Sequence, residues 1–205
     1  MAYSVPGGRT DGHSYGQGNG ELKMTQRKTA GDGGKSAPPL GPIVSSAHLV
    51  SEDAVELSEF EFGLTLANNA FQRWIVHCMA ASGYADLGPV DILILHTVNH
   101  RERAKKLADI CLVLNIEDTH VATYALKKLV KLKLVASAKS GKENLFRTTK
   151  KGVEACAAYR RIREECLVKA FGSFTGEATE ISELAGMLRL LSGLYDQAAR
   201  VAASL

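Results

Sequence analysis

The chain has 205 residues, 45% of them hydrophobic and 23% charged, with a formal net charge of +3. That balance describes one globular domain with a tail, or two small domains, and excludes fibrous and low-complexity chains. There is no apolar run of the roughly 20 residues a membrane helix needs, no N-terminal signal pattern, and no paired spacing among the four cysteines, so a cytoplasmic protein without membrane contact is expected.

Residues 1–48 hold ten of the nineteen Gly and four of the five Pro, with few large apolar side chains. Such a segment buries too little surface to offset its chain entropy, and a disordered tail is expected there, followed by one folded region over 49–205. From Ser51 the pattern changes. Leu57, Phe60, Leu64, Ala67, Phe71, Trp74 and Cys78 recur at spacings of three and four, the seam of a long helix over 52–82 that starts at Ser51 and the acidic pair after it and stops at Gly83. Pro89 suits the first position of the next helix, through about Asn99, although Val90 to Val98 reads equally as a buried strand; the helical neighbours favour helix.

Leu107, Ile110, Cys111 and Leu114 then make one apolar stripe, and Ala122, Ala125, Leu126 and Leu129 make another, with a tight turn around Asn115 between them. Asp118 or Thr119 can cap the second helix. Its opposite face carries Thr119, His120, Thr123, Tyr124, Lys127 and Lys131. Two β-compatible runs, Leu134–Ala138 and Leu145–Thr149, flank a polar Ser-Gly turn and read as a hairpin with a basic tip. Helix, turn, helix and hairpin is the order of a winged helix-turn-helix, whose second helix enters the DNA major groove. The charge agrees: residues 99–151 hold 13 Lys and Arg against 5 Asp and Glu, a local +8 on a chain whose remainder carries −5.

Thr149-Lys150-Lys151-Gly152 is expected to open another helix, with Val153, Cys156, Ala157, Ile162, Cys166, Leu167 and Phe171 on its apolar side. Ser173 to Gly176 can cap a last helix, in which Ile181, Leu184, Leu188, Leu191, Tyr195, Ala198, Ala202 and Leu205 form a second long seam. Seams at both ends of the folded region suit a subunit interface through Leu57, Phe60, Leu64, Leu184, Leu188, Leu191 and Tyr195, or packing of the terminal helices on each other.

The fold class is therefore mainly α with a small β-hairpin: a DNA-binding part over about 88–151 between long helical segments at about 52–82 and 152–205. In this order, with Leu129 followed by Leu134-Val135 and the Thr-x-x-Gly at Thr149 to Gly152, residues 52–205 resemble the multiple-antibiotic-resistance regulator (MarR) family of winged-helix transcription factors. The resemblance implies a homodimer on pseudo-palindromic double-stranded DNA, released by a small-molecule effector or an oxidant acting between the dimerisation and DNA-binding parts. The chain departs from the family at Lys133, where a Gly usually stands, and in its short wing, which lacks the Asp and Arg pair of the tip.

Groove chemistry assigns roles to the residues. Thr119, His120, Thr123 and Tyr124 are placed to meet base edges or nearby phosphates, whereas Lys127, Lys128, Lys131, Lys139, Lys142 and Arg147 are expected on phosphates. Asn68, Asn69, Gln72 and His77 of the first long helix are candidates to line an effector cavity. His96 and His100 have helical metal spacing but no accompanying Cys or carboxylate at ligand distance, and no metal or other cofactor is expected. The cysteines lie in apolar runs, where a thiol packs as a small hydrophobe; redox sensing through one of them is the alternative. No catalytic motif is present, so a regulator or a winged-helix protein-interaction module is expected rather than an enzyme.

Overall fold

The apolar spacings become helices, and their ends are set by local hydrogen bonds. The computed structural model describes residues 41–45, 47–51, 53–172 and 178–205, so most of the expected tail, and the Ser173–Gly176 cap, lie outside the described residues. Helix α1 runs over Val55–Ala81. It begins later than the acidic pair suggested, because Ser51 Oγ accepts from Asp53 N (3.3 Å) in a turn of its own. Residues 42–45 and 47–50, assigned above mostly to the tail, fold back on α1: Ile43 N donates to Glu59 Oε1 (2.9 Å) and Ser58 Oγ to the Leu49 carbonyl (2.9 Å). Gly83, at φ 95°, ends α1 in the left-handed conformation that closes a helix, with Tyr84 N donating to the Met79 carbonyl.

Helix α2 (Pro89–Asn99) is the centre of the domain. Ile92, Ile94, Leu95 and Val98 are all fully buried, because α1, α3 (Leu107–Leu114), α4 (Thr119–Lys131) and α5 (Lys150–Arg163) pack around it. A helix packed against four others carries a mostly apolar run, which is why its sequence also read as a strand. Between α2 and α3, Lys105 turns inward and donates to the carbonyls of Val98 (3.1 Å), His100 and Arg103 (3.2 Å). It thereby satisfies carbonyls left open at the end of α2, around a corner in which Arg101 and Glu102 have φ of 58° and 50°.

Asn115 makes the turn of the helix-turn-helix at φ 51°, and Asp118 caps α4 by accepting from His120 N (2.8 Å). The hairpin is β2 (Val135–Ser140) and β3 (Glu143–Thr148), joined by the two-residue turn Gly141-Lys142, so its strands extend further into the tip than expected. A third strand absent from the sequence reading, β1 (Lys105–Lys106), pairs with β3 to give the antiparallel order β1-β3-β2.

Thr149 joins wing to helix. Its hydroxyl accepts from Gly152 N (3.1 Å), its backbone N–H donates to the Leu134 carbonyl (3.0 Å), and its hydroxyl proton reaches the Lys133 carbonyl (2.7 Å). Gly152 is forced by this junction, since a Cβ there would lie 2.1 Å from the Leu134 carbonyl oxygen. That approach also sets the rotation of α5 and corrects its expected apolar face: Gly152, Ala155, Cys156 and Tyr159 point inward, while Val153 and Ala157 are exposed. The helix continues through a π turn (Glu164–Val168) into the short α6 (Lys169–Phe171). Helix α7 (Ala178–Ala202) has no buried residue among those described; Tyr195 Oη donates to Glu61 (3.2 Å) and Asn115 Nδ2 to Asp196 (3.2 Å).

Three predictions follow from this packing. Lys133 holds φ 60° without being Gly, a strain of order 1–3 kcal/mol; allowing for the greater unfolded freedom of Gly, Lys133→Gly should stabilise by about 1 kcal/mol and raise Tm by a few degrees. Gly152→Ala should cost about 3 kcal/mol in a urea titration, and a loss below about 0.5 kcal/mol would show that the junction yields easily. His96, edge-on to Tyr159 with centroids 4.5 Å apart, has an unpartnered Nε2, and burial lowers its imidazole pKa. The unfolded chain takes up this proton near pH 6.5 while the folded chain does so only at lower pH, so stability is lost as pH falls from about 6.5 through the folded value. Tm measured from about pH 8 to about pH 5.5 should fall more for the wild type than for His96→Phe.

Candidate nucleic-acid interface

What positions α4 is its narrow inner stripe. Ala122 and Ala125 let it approach α2 closely, and Leu126 and Leu129 fill the space beyond them; all four are buried. The outer side then follows from helical geometry: Thr119, His120, Tyr124, Lys127 and Lys131 are exposed and Thr123 is half-buried. The Thr123 hydroxyl donates to the Thr119 carbonyl (2.8 Å), so its donor is engaged within the helix.

The cations of the interface divide into free and engaged groups. Lys128 Nζ lies 2.6 Å from Asp91 Oδ2, and the same carboxylate oxygen accepts from Gly88 N (2.9 Å). Lys128 therefore ties α4 to the start of α2 instead of projecting beside Lys127. Lys105, counted in the local +8, is buried in its cage of carbonyls, and desolvation, then Arg103 and Arg101, lower its pKa. Lys106 pairs with Glu143 at the tip end of β3 (2.6 Å). Arg147 remains exposed but donates to the Glu102 carbonyl (3.0 Å). Lys127, Lys131, Lys139 and Lys142 are exposed cations on α4 and the hairpin. Sequence counting could not separate these groups, because Asp91 and Lys128 are distant in the chain.

Several cavities flank these elements. One of about 720 Å³ is bordered by His96, His100, Arg103 and Lys105 of the α2–α3 corner and by Leu112 and Val113. A second, about 540 Å³, lies between α4 and the wing over Leu107, Leu126, Val130 and Phe146. Of the effector candidates, Asn69, Gln72 and His77 border a third space of about 370 Å³ beside Pro89, while Asn68 is exposed and accepts from Gln72 Nε2 (3.2 Å). The two larger cavities were not visible in the sequence, since their walls join distant segments.

Cys78, Cys111 and Cys156 are buried, whereas Cys166 is exposed on the π turn. Burial raises the Cys78 thiol and pushes Cys156 up to about 11, which favours the unreactive protonated form of both. Among the described residues no cluster of His, Cys, Asp or Glu could hold a metal ion, and no helix is long and apolar enough to cross a membrane.

The family profile of the winged helix DNA-binding domain matches residues 87–152, the stretch from the start of α2 to the Thr149–Gly152 junction. No curated protein sequence matches the chain. Among solved structures, a MarR family regulator from Neisseria meningitidis aligns at 19% identity and a TM-score of 0.55, over 69% of this chain and 94% of its own. A mutant MarR from E. coli complexed with operator DNA aligns at 16% and 0.55, over 69% and 99%. The transcriptional repressor CouR, bound to a 23-mer DNA duplex, aligns at 19% and 0.56, over 68% and 96%. Residues 87–152 thus match the winged helix DNA-binding domain and fold as a winged helix, set within the fold that MarR family regulators share.

Proposed function

We propose that this chain is a cytoplasmic transcriptional regulator that binds a pseudo-palindromic double-stranded operator as a homodimer and is modulated by a small-molecule effector. The observation that carries the reading is α4: a capped helix whose inner stripe is buried and whose outer side presents Thr119, His120, Tyr124, Lys127 and Lys131. Similar folds bind operator DNA in the E. coli MarR complex and a DNA duplex in the CouR complex. Lys127, Lys131, Lys139, Lys142 and Arg147 neutralise phosphates, and Lys128 supports the helix through Asp91.

The second copy is supported by apolar surface that one chain leaves open. Leu57, Leu64, Leu184 and Leu188 are exposed, and Phe60, Leu191 and Tyr195 only half-buried, although each belongs to a continuous helical seam. Apolar faces of this length are normally covered, and a two-fold pairing of α1 and α7 would cover them. The effector occupies one of the cavities beside α2 or α4, where a bound molecule alters the placement of the reading helix.

The test is fluorescence anisotropy of the full chain with the duplex upstream of its own gene and a shuffled duplex, across salt concentrations. The native duplex should bind more tightly, with log Kd varying steeply with log salt, by about 0.9 per phosphate contacted. Thr123→Ala should weaken binding, and Lys127→Ala should also lower the salt slope by about two in a dimer. Leu188→Asp should convert a dimer to a monomer in sedimentation and abolish tight binding. Absence of binding to either duplex at low salt would overturn the regulator reading and favour a protein-docking winged helix.

A further inference from the structure

The recognition helix has an unusual balance of reading chemistry. Its thirteen residues include no Arg, Asn or Gln, and its lysines, which can also reach guanine, begin only at Lys127, past the first two turns, so no side chain on those turns reads guanine or adenine with two hydrogen bonds at once. The Thr123 donor is engaged with the Thr119 carbonyl, and Asp118 with His120 N. On the first two turns the remaining outward donors, on Thr119, His120 and Tyr124, each supply a single hydrogen bond.

Apolar contact surface, by contrast, is plentiful at the same place. Val121 is 44% exposed and Tyr124 73% exposed, on the first two turns of α4. They stand three residues apart, so they are neighbours on one side of the helix and form a single apolar patch. Val121 lies outside the stripe of Ala122, Ala125, Leu126 and Leu129 that packs α4 onto the domain. The N-terminal residues of a recognition helix are the ones that meet base edges. In the major groove the thymine 5-methyl group is the one apolar feature that a base edge offers.

We infer that Val121, with Tyr124 beside it, is the specificity-determining contact of this helix and reads thymine 5-methyl groups in each half-site. The inference rests on the DNA-binding reading given above and adds to it the class of base recognised. Val121 removes methyl surface from water on binding, and each buried methyl is worth about 0.8 kcal/mol, or roughly four-fold in affinity. Two symmetric half-sites multiply to about fifteen-fold. Lys127 and Lys131 hold the helix on the backbone without contributing sequence preference.

The experiment selects duplexes bound by the full chain from a random-sequence pool, then replaces single thymines of the selected duplex by deoxyuridine, which lacks only the methyl group. Anisotropy titrations compare wild type with Val121→Ala, which keeps a good helix former at an exposed position, and with Val121→Thr, which keeps the shape and one methyl. The wild type should lose about four-fold for one critical thymine and about fifteen-fold for the symmetric pair. Val121→Ala should bind the thymine duplex more weakly by a similar factor and no longer distinguish it from the deoxyuridine duplex, with Val121→Thr in between. A selected duplex whose thymines can all be replaced within two-fold would overturn the methyl-reading inference while leaving DNA binding intact. Failure to select any duplex, with no binding at low salt, would overturn both.

Discussion

Helix, hairpin and helix meet at the carbonyl of Leu134. That oxygen accepts the Thr149 backbone N–H, while Leu134 N donates to the Leu129 carbonyl at the end of α4. One residue therefore connects the end of the reading helix, the entry to the wing and the start of α5. Gly152 is needed because the next helix passes too close to that carbonyl for a side chain, and the rotation of α5 follows. Tyr159 is buried as a result and meets His96 of α2. The wing, the reading helix and the helix leading out of the domain are referred to one small rigid junction.

Around that junction the domain treats its cations in two ways. Lys105 and Lys128 act inside: one holds carbonyls at the end of α2, the other an aspartate shared with the start of α2. Such groups order loops and helix ends because a desolvated ammonium strongly favours the geometry that satisfies it. Lys127, Lys131, Lys139 and Lys142 remain exposed to water, and their attraction to a polyanion depends on salt. The local excess of charge thus combines a structural share with a solvent-exposed share.

The long terminal helices show the complementary imbalance, too much apolar surface for one chain. Leu190 is 76% exposed and Leu194 59% exposed on α7, and the N-terminal half of α1 leaves Leu57, Leu64 and Leu66 open. The bonds from Tyr195 to Glu61 and from Asn115 to Asp196 orient α7 but bury little. Exposed hydrogen bonds of this kind contribute modestly, so apolar burial is what remains available to stabilise these helices.

The sequence by itself determined the elements whose signals are local. The three-and-four spacings predicted α1, α3, α4 and α7, Asp118 was one of two cap candidates for α4, and the polar Ser-Gly turn announced the wing, because periodicity and capping depend on neighbours within one or two turns. The ambiguity at Val90–Val98 was resolved only by packing: α2 carries a mostly apolar run because four helices pack against it. Tertiary structure likewise decided that β1 joins the sheet, that Val153 faces out while Tyr159 faces in, and that Lys128 belongs to Asp91. Each of these depends on contacts between residues far apart in the chain, and a side chain's neighbours across the fold leave no periodic trace along it.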